Sequence, residues 1–174
     1  MIENLALKMA VSLKKSVPNH PSSVEIFKFA IALLLNVAFI VAATLGISLI
    51  SGRTREAAVI LLSFAVLRQL TGGVHLKTNM QCVIYSTVIF TTISLIDLGK
   101  GVTIAATILA FGLVLILAPV GIDKQSRIPA AYYPFMKLAA LLLIASNAFF
   151  LSQPASLSML IQGITLILGR EVEK

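Results

Sequence analysis

The stretch Ile26 to Ile50, IFKFAIALLLNVAFIVAATLGISLI, carries one charged side chain, Lys28, in 25 residues, and its reading decides the fold. A helix rises about 1.5 Å per residue, so roughly 20 apolar residues cross the ~30 Å hydrocarbon core of a bilayer. This stretch is long enough to span. Five more apolar runs follow, at Ala57 to Leu67, Met80 to Ile96, Val102 to Val120, Phe135 to Leu151 and Ala155 to Leu168. The first, third, fourth and fifth of the six runs have spanning length. The second and sixth are short, and reach across only if tilted, extended by polar flanks or half-inserted, which leaves four spans as the alternative count. The whole chain agrees: 58% of its 174 residues are hydrophobic and 12% charged, with mean hydropathy +0.98, where soluble domains carry about 25% charged residues. The expected fold is all-α, a polytopic integral membrane protein of about six hydrophobic helices, two of them short. Residues 1–174 form one domain, since no soluble segment is long enough to bury a core of its own. The polar stretch before the first run, and that run's length, argue against a cleavable signal peptide.

Residues 2–17 place Ile2, Leu5, Met9, Leu13 and Val17 at helical spacing, with Lys8, Ser12, Lys14 and Lys15 elsewhere on the wheel. This predicts an N-terminal amphipathic helix lying in the lipid headgroups over 1–21 and stopping near Pro18 and Pro21. A basic leader that only sets orientation explains the same residues. If six helices alternate sides, Lys8, Lys14, Lys15, Lys28, Arg68, Lys77, Lys124, Arg127, Lys137, Arg170 and Lys174 share one side, and Arg53, Arg55 and Lys100 the other. The positive-inside rule then puts both termini and the loop after Arg68 in the cytoplasm. The net charge of +7 is a topology signal. No long basic patch interleaved with aromatics suggests a nucleic-acid partner.

Chemistry concentrates in Arg68-Gln69-Leu70-Thr71-Gly72-Gly73-Val74-His75 and in Cys82, the single cysteine. One cysteine forbids an intramolecular disulfide and a dithiol mechanism, and no Cys/His cluster has zinc-ligand spacing, so neither metal nor cofactor is expected. On one continuous helix His75 and Cys82 would stand about 10 Å apart along the axis. Gly72 and Gly73 instead predict a break, with a new helix starting near Thr78 or Asn79, both good N-caps. Cys82 then falls in the first turn, where the helix dipole favours a thiolate and His75 can approach as base. Backbone N–H groups near Gly73 could serve as an oxyanion hole. Taken alone, a cysteine in a membrane helix is more often a small packing residue, His75 could mark a turn and Arg68 could anchor the helix at the interface. Gln69 and Ser86 could support the site, with helix packing the plainer role. Asp97 sits toward the far end of the same helix, so the site is a dyad.

The run Arg-x-x-x-Gly-Gly-x-His with Cys at the seventh position after His, joined further on by Ala118-Pro119-Val120 and Ile128-Pro129, resembles the accessory gene regulator protein B family of membrane peptidases. Length and hydrophobic layout are similar over nearly the whole chain. The resemblance implies a cysteine endopeptidase with Cys82 as nucleophile, His75 as base and Arg68, Gly72 and Gly73 at motif positions that bind substrate or stabilise the transition state. It implies cleavage of a small amphipathic autoinducer propeptide through an acyl-enzyme thioester, then cyclisation to a thiolactone or lactone, at the cell membrane in quorum sensing. Arg68 could bind an acidic propeptide tail or polarise the scissile carbonyl. Two other classes remain. A small peptide or ion transporter would use Asp97 and the polar residues Asn36, Gln81, Asn147 and Gln162, which look scattered. A phospholipid-modifying enzyme would need clustered acidic metal ligands, which the chain lacks. Small residues at Ala42, Ala43 and Gly46, and at Ala105, Ala106 and Ala110, permit close helix packing within a monomer or a homodimer.

Overall fold

The computed structural model describes residues 2–73, 78–122 and 128–173. Seven α-helices account for most of them: α1 Ile2–Ser16, α2 Val24–Ser51, α3 Thr54–Thr71, α4 Asn79–Ser94, α5 Lys100–Leu117, α6 Tyr133–Phe150 and α7 Gln153–Glu173. A 3₁₀ turn, Ala130–Tyr132, leads into α6. Each of the six apolar runs forms a helix. Three have the length and apolarity to cross a membrane, at Val24–Ser51, Lys100–Leu117 and Ala130–Phe150. The third run, expected to span, gives a 16-residue helix that stops at Ser94. The two runs expected to be short give helices of 18 and 21 residues, because polar flanks extend them.

The helices end where local chemistry dictates. Ser23 caps α2 by accepting from the Ile26 N–H at 3.4 Å, and Gly52 closes it in the left-handed conformation at φ 71. Thr78 caps α4 by accepting from the Gln81 N–H at 3.2 Å.

The core is built around α7, which packs on α5, α3, α4 and α6. Leu67, Ala110, Val114, Ala140, Ile144, Met159 and Leu166 form its main cluster. At Gly163 a side chain would stand 3.0 Å from Leu113 of α5, so the missing Cβ sets the close approach of the two helices. A smaller cluster of Ile60, Phe90 and Ile93 joins α3 to α4. Polar side chains on α7 also face inward: Ser156, Ser158 and Gln162 are fully buried, and Ser158 Oγ lies 2.6 Å from Ser63 Oγ on α3.

The remaining faces are apolar and outward, as a lipid-embedded protein requires, with Leu34, Leu49, Ile50, Ile108, Ile116 and Phe149 exposed. Ala106 and Ala110 are used in internal packing, whereas Ala42 and Gly46 face outward from α2.

The N-terminal helix forms as expected. It folds back on α2 through Ile2, Ala6 and Ala10, one turn apart, and leaves Leu5, Met9 and Leu13 exposed. Small side chains allow the two helix axes to approach closely, so the alanine stripe wins the contact with α2 over the larger apolar one.

The end of the molecule opposite the termini of α3 and α5 is tied by polar bonds. Arg53, between α2 and α3, bonds both carboxylate oxygens of Asp97, between α4 and α5. Gln153 at the start of α7 accepts from the Leu98 N–H at 2.8 Å and donates to the Ile96 carbonyl.

Candidate active site

The site forms where the last turn of α3 meets the first turn of α4 and the chain leaving α5. α3 ends at Thr71, whose hydroxyl bonds the Leu67 carbonyl at 2.8 Å. Gly72 then takes φ 75, ψ −142, and its N–H closes the helix on the Arg68 carbonyl at 2.9 Å. The glycine pair continues as a short parallel ladder with Val120: Val120 N–H donates to Thr71 O at 3.0 Å, and Gly73 N–H to Val120 O at 2.9 Å. A Cβ at Gly72 would lie 2.0 Å from the Val120 oxygen. Only glycine fits there, both for its positive φ and for that backbone contact. The Ala118-Pro119-Val120 segment, joined by a cis Ala118–Pro119 bond, is therefore the strand-like partner of the glycine turn.

Cys82 is the fourth residue of α4, half-buried, with its N–H on the carbonyl of the Thr78 N-cap at 3.2 Å. The expected break after the paired glycines and restart at Asn79 are both present. A thiol here lies beside the positive end of the helix dipole. Arg68 supplies a second positive charge: its guanidinium interacts electrostatically with Cys82 across the gap between α3 and α4. Phe64, one turn earlier on α3, lies 5.9 Å under the Arg68 guanidinium and packs edge-on against Phe90 of α4 at 4.8 Å. Arg68 is thereby held by a cation–π contact as well as by its backbone.

The start of α4 also receives a carboxylate. Glu3 of α1 accepts the Asn79 N–H at 3.2 Å, which satisfies one unpaired donor of the helix terminus from a distant part of the chain. Hydrogen bonds from its own backbone N–H and from Asn79 hold the Glu3 carboxyl below the usual range.

The N–H groups of both Gly72 and Gly73 are engaged in the chain's own hydrogen bonds. Neither of these two N–H groups is therefore free to serve as an oxyanion-hole donor, and the N–H groups that follow Gly73 lie outside the described residues. His75, with Val74, Leu76 and Lys77, lies outside the described residues, as do Lys124 and Arg127. Gln69 is exposed, away from the site, and Ser86 is half-buried on α4. Asp97 lies fifteen residues beyond Cys82, roughly 22 Å along α4 and its extension, bound to Arg53.

One residue of the site was missed in the sequence. Gln162 of α7, fully buried, donates from Nε2 to Thr71 Oγ1 at 3.0 Å and to the Gly72 carbonyl at 2.7 Å. Its signal was the polar content of the sixth apolar run, since polar groups inside a membrane segment turn toward a partner.

The arrangement defines a helical membrane protein with a thiol in the first turn of one helix and a half-buried arginine in the last turn of another, beside a glycine turn. The family model described as Accessory gene regulator B matches residues 6–166, and the chain belongs to that family. It is also 34% identical, over 94 residues, to an AgrB-like protein of Halalkalibacterium halodurans, an alignment covering 54% of this chain and 48% of that one. The chain thus matches about half the length of that curated relative. No solved structure matches it.

Proposed function

We propose that this protein is a membrane cysteine endopeptidase that releases the C-terminal part of a small amphipathic autoinducer propeptide and promotes its cyclisation in quorum sensing. The observation that carries the reading is the placement of Cys82, in a chain of this family, at the start of α4 beside the helix dipole and within electrostatic reach of Arg68.

In the proposed reaction His75 takes the Cys82 proton and the sulfur attacks the scissile carbonyl carbon. A C–S bond forms, Arg68 offsets the charge on the carbonyl oxygen, and the peptide C–N bond breaks as the leaving amine takes the proton from His75. A thiol or hydroxyl of the bound propeptide then attacks the thioester. The ring bond forms, the bond to Cys82 breaks, and the proton lost by the attacking group returns to the Cys82 sulfur. The gap between α3 and α4 would limit competing hydrolysis. Both termini and the catalytic loop would face the cytoplasm at the cell membrane, where the basic loops meet the propeptide. A homodimer could use the outward small residues of α2.

The transporter reading has less support. Asn147 is bonded to Thr107 and Ser152, Gln162 to the glycine turn and Asp97 to Arg53, so these side chains are used in holding the fold together.

The test is co-reconstitution with the small propeptide encoded beside this protein, following peptide mass. Wild type should release the C-terminal fragment and carry an acyl adduct on Cys82, and Cys82→Ala and His75→Ala should do neither. Cleavage that persists in both variants would overturn the reading.

A further inference from the structure

We infer that Gln162 is a positioning residue of this site, whose buried amide clamps the paired-glycine turn and so holds the Arg68 guanidinium over Gly73. The inference rests on the reading of Cys82 as an activated thiol. Gln162 reaches the turn from α7, 90 residues away in sequence, and is completely buried. Its two Nε2 protons are both used, one on the Thr71 hydroxyl and one on the Gly72 carbonyl, while the Thr165 hydroxyl lies 3.1 Å from its Oε1. The amide is thus oriented by one group and orients two others.

Three side chains surround the α-carbon of Gly73. A Cβ there would stand 2.9 Å from Thr165 Oγ1, 3.2 Å from Arg68 Nη1 and 3.3 Å from Gln162 Nε2. The glycine is therefore the floor on which the Arg68 guanidinium rests, and Gln162 and Thr165 are its other walls. Thr71 and Gly72, the two residues bonded by Gln162, immediately follow the helix turn that carries Arg68. If the clamp opens, the turn moves relative to α7 and Arg68 loses the surface that directs it toward α4. A buried amide with satisfied partners could serve folding alone, so the test must read the thiol rather than stability.

Cys82 is the chain's single cysteine, so alkylation by iodoacetamide reports on this site alone. Among the described residues, the charged groups placed near it are Arg68 on α3 and Glu3 of α1, which accepts from the first residue of α4. The full chain in phosphatidylcholine/phosphatidylglycerol vesicles would be alkylated from pH 5 to 9, as wild type, Gln162→Met, Thr165→Val and Arg68→Gln. Gln162→Met keeps the length of the side chain and removes its polar atoms. Gln162→Met should move the alkylation midpoint up from that of wild type by about one unit, toward Arg68→Gln. Thr165→Val, which frees the amide without removing it, should shift the midpoint in the same direction by less, and it remains informative if Gln162→Met fails to fold.

In the propeptide assay Gln162→Met should lower kcat about tenfold or more with KM within about twofold. A midpoint unchanged from wild type in a folded Gln162→Met or in Thr165→Val overturns the positioning role, and leaves the peptidase reading intact if Cys82→Ala is inactive. Cleavage that survives Cys82→Ala overturns both.

Discussion

At the scale of single residues, the two glycines of the motif are not equivalent. Gly72 has a positive φ and its absent Cβ would fall 2.0 Å from a backbone oxygen, which cannot swing away. Gly73 also has a positive φ, 127, but the three nearest atoms to a Cβ there belong to side chains, those of Thr165, Arg68 and Gln162. Gly72→Ala should therefore separate the turn from Val120 and lower stability by about 3 kcal/mol, combining backbone strain with the loss of the ladder bonds. Gly52→Ala, also at positive φ but with nothing within 4 Å, should cost about 1 to 2 kcal/mol. Thermal unfolding in detergent would check the order, and equal losses at both positions would contradict the close contact at Gly72. Arg68, Gly72 and Gly73 were all identifiable as a pattern of residue types, whereas Gln162 was not, because its partner lies 90 residues away.

At the scale of helices, α1 and α7 carry the lesson. The periodicity of α1 marks Ile2, Leu5, Met9, Leu13 and Val17, whereas its buried residues are Ile2, Ala6 and Ala10. The structure packs these buried residues on α2 and uses the same helix to bring Glu3 to the start of α4. Ala6→Leu should overfill that contact and destabilise by about 1 to 3 kcal/mol, while Leu5→Ala, on the exposed side, should change stability by less than about 0.5 kcal/mol. Melting of the two variants in detergent separates them, and the reverse order would mean that α1 docks by its large apolar face. α7 shows the converse case. Its run looked short because it is bounded by the polar flanks that the helix includes, and Ser156, Ser158 and Gln162 within it face inward and are buried. Hydropathy measures preference for lipid, so a helix enclosed by its neighbours scores poorly even at the centre of the bundle.

At the scale of the whole molecule, the two ends of the bundle do different work. One end gathers the terminus of α3, the start of α4 and the exit of α5 into the candidate site. The other is closed by Arg53 with Asp97 and by Gln153 with the chain leaving α4. The hydrogen bond and charge of Arg53 hold the Asp97 carboxyl below the ordinary carboxylate range. A carboxyl with a depressed folded pKa contributes stability above its unfolded value, near 4, and loses that contribution as pH falls through the folded value. Asp97 is 69% exposed, so the effect is small and screened by salt. Asp97→Asn should melt slightly below wild type at pH 7 and low salt, with the gap closing toward pH 3 and in high salt. A gap that widens on acidification would contradict the ion pair.

The sequence by itself determined the class of the molecule, its helices and the residue types of its site. Apolar run length, a threonine N-cap before Cys82 and paired glycines before it are local signals, each read from a few neighbouring residues and a fixed helix geometry. Tertiary structure alone decided which partners those residues found. It seated Gly72 against Val120, brought Arg68 into reach of Cys82, placed Gln162 beneath the turn and engaged the glycine N–H groups that a local reading had left free for substrate. The physical reason is that burial and hydrogen-bond satisfaction are set by what meets across helices, and a one-dimensional pattern records which side chains need partners without recording where those partners lie.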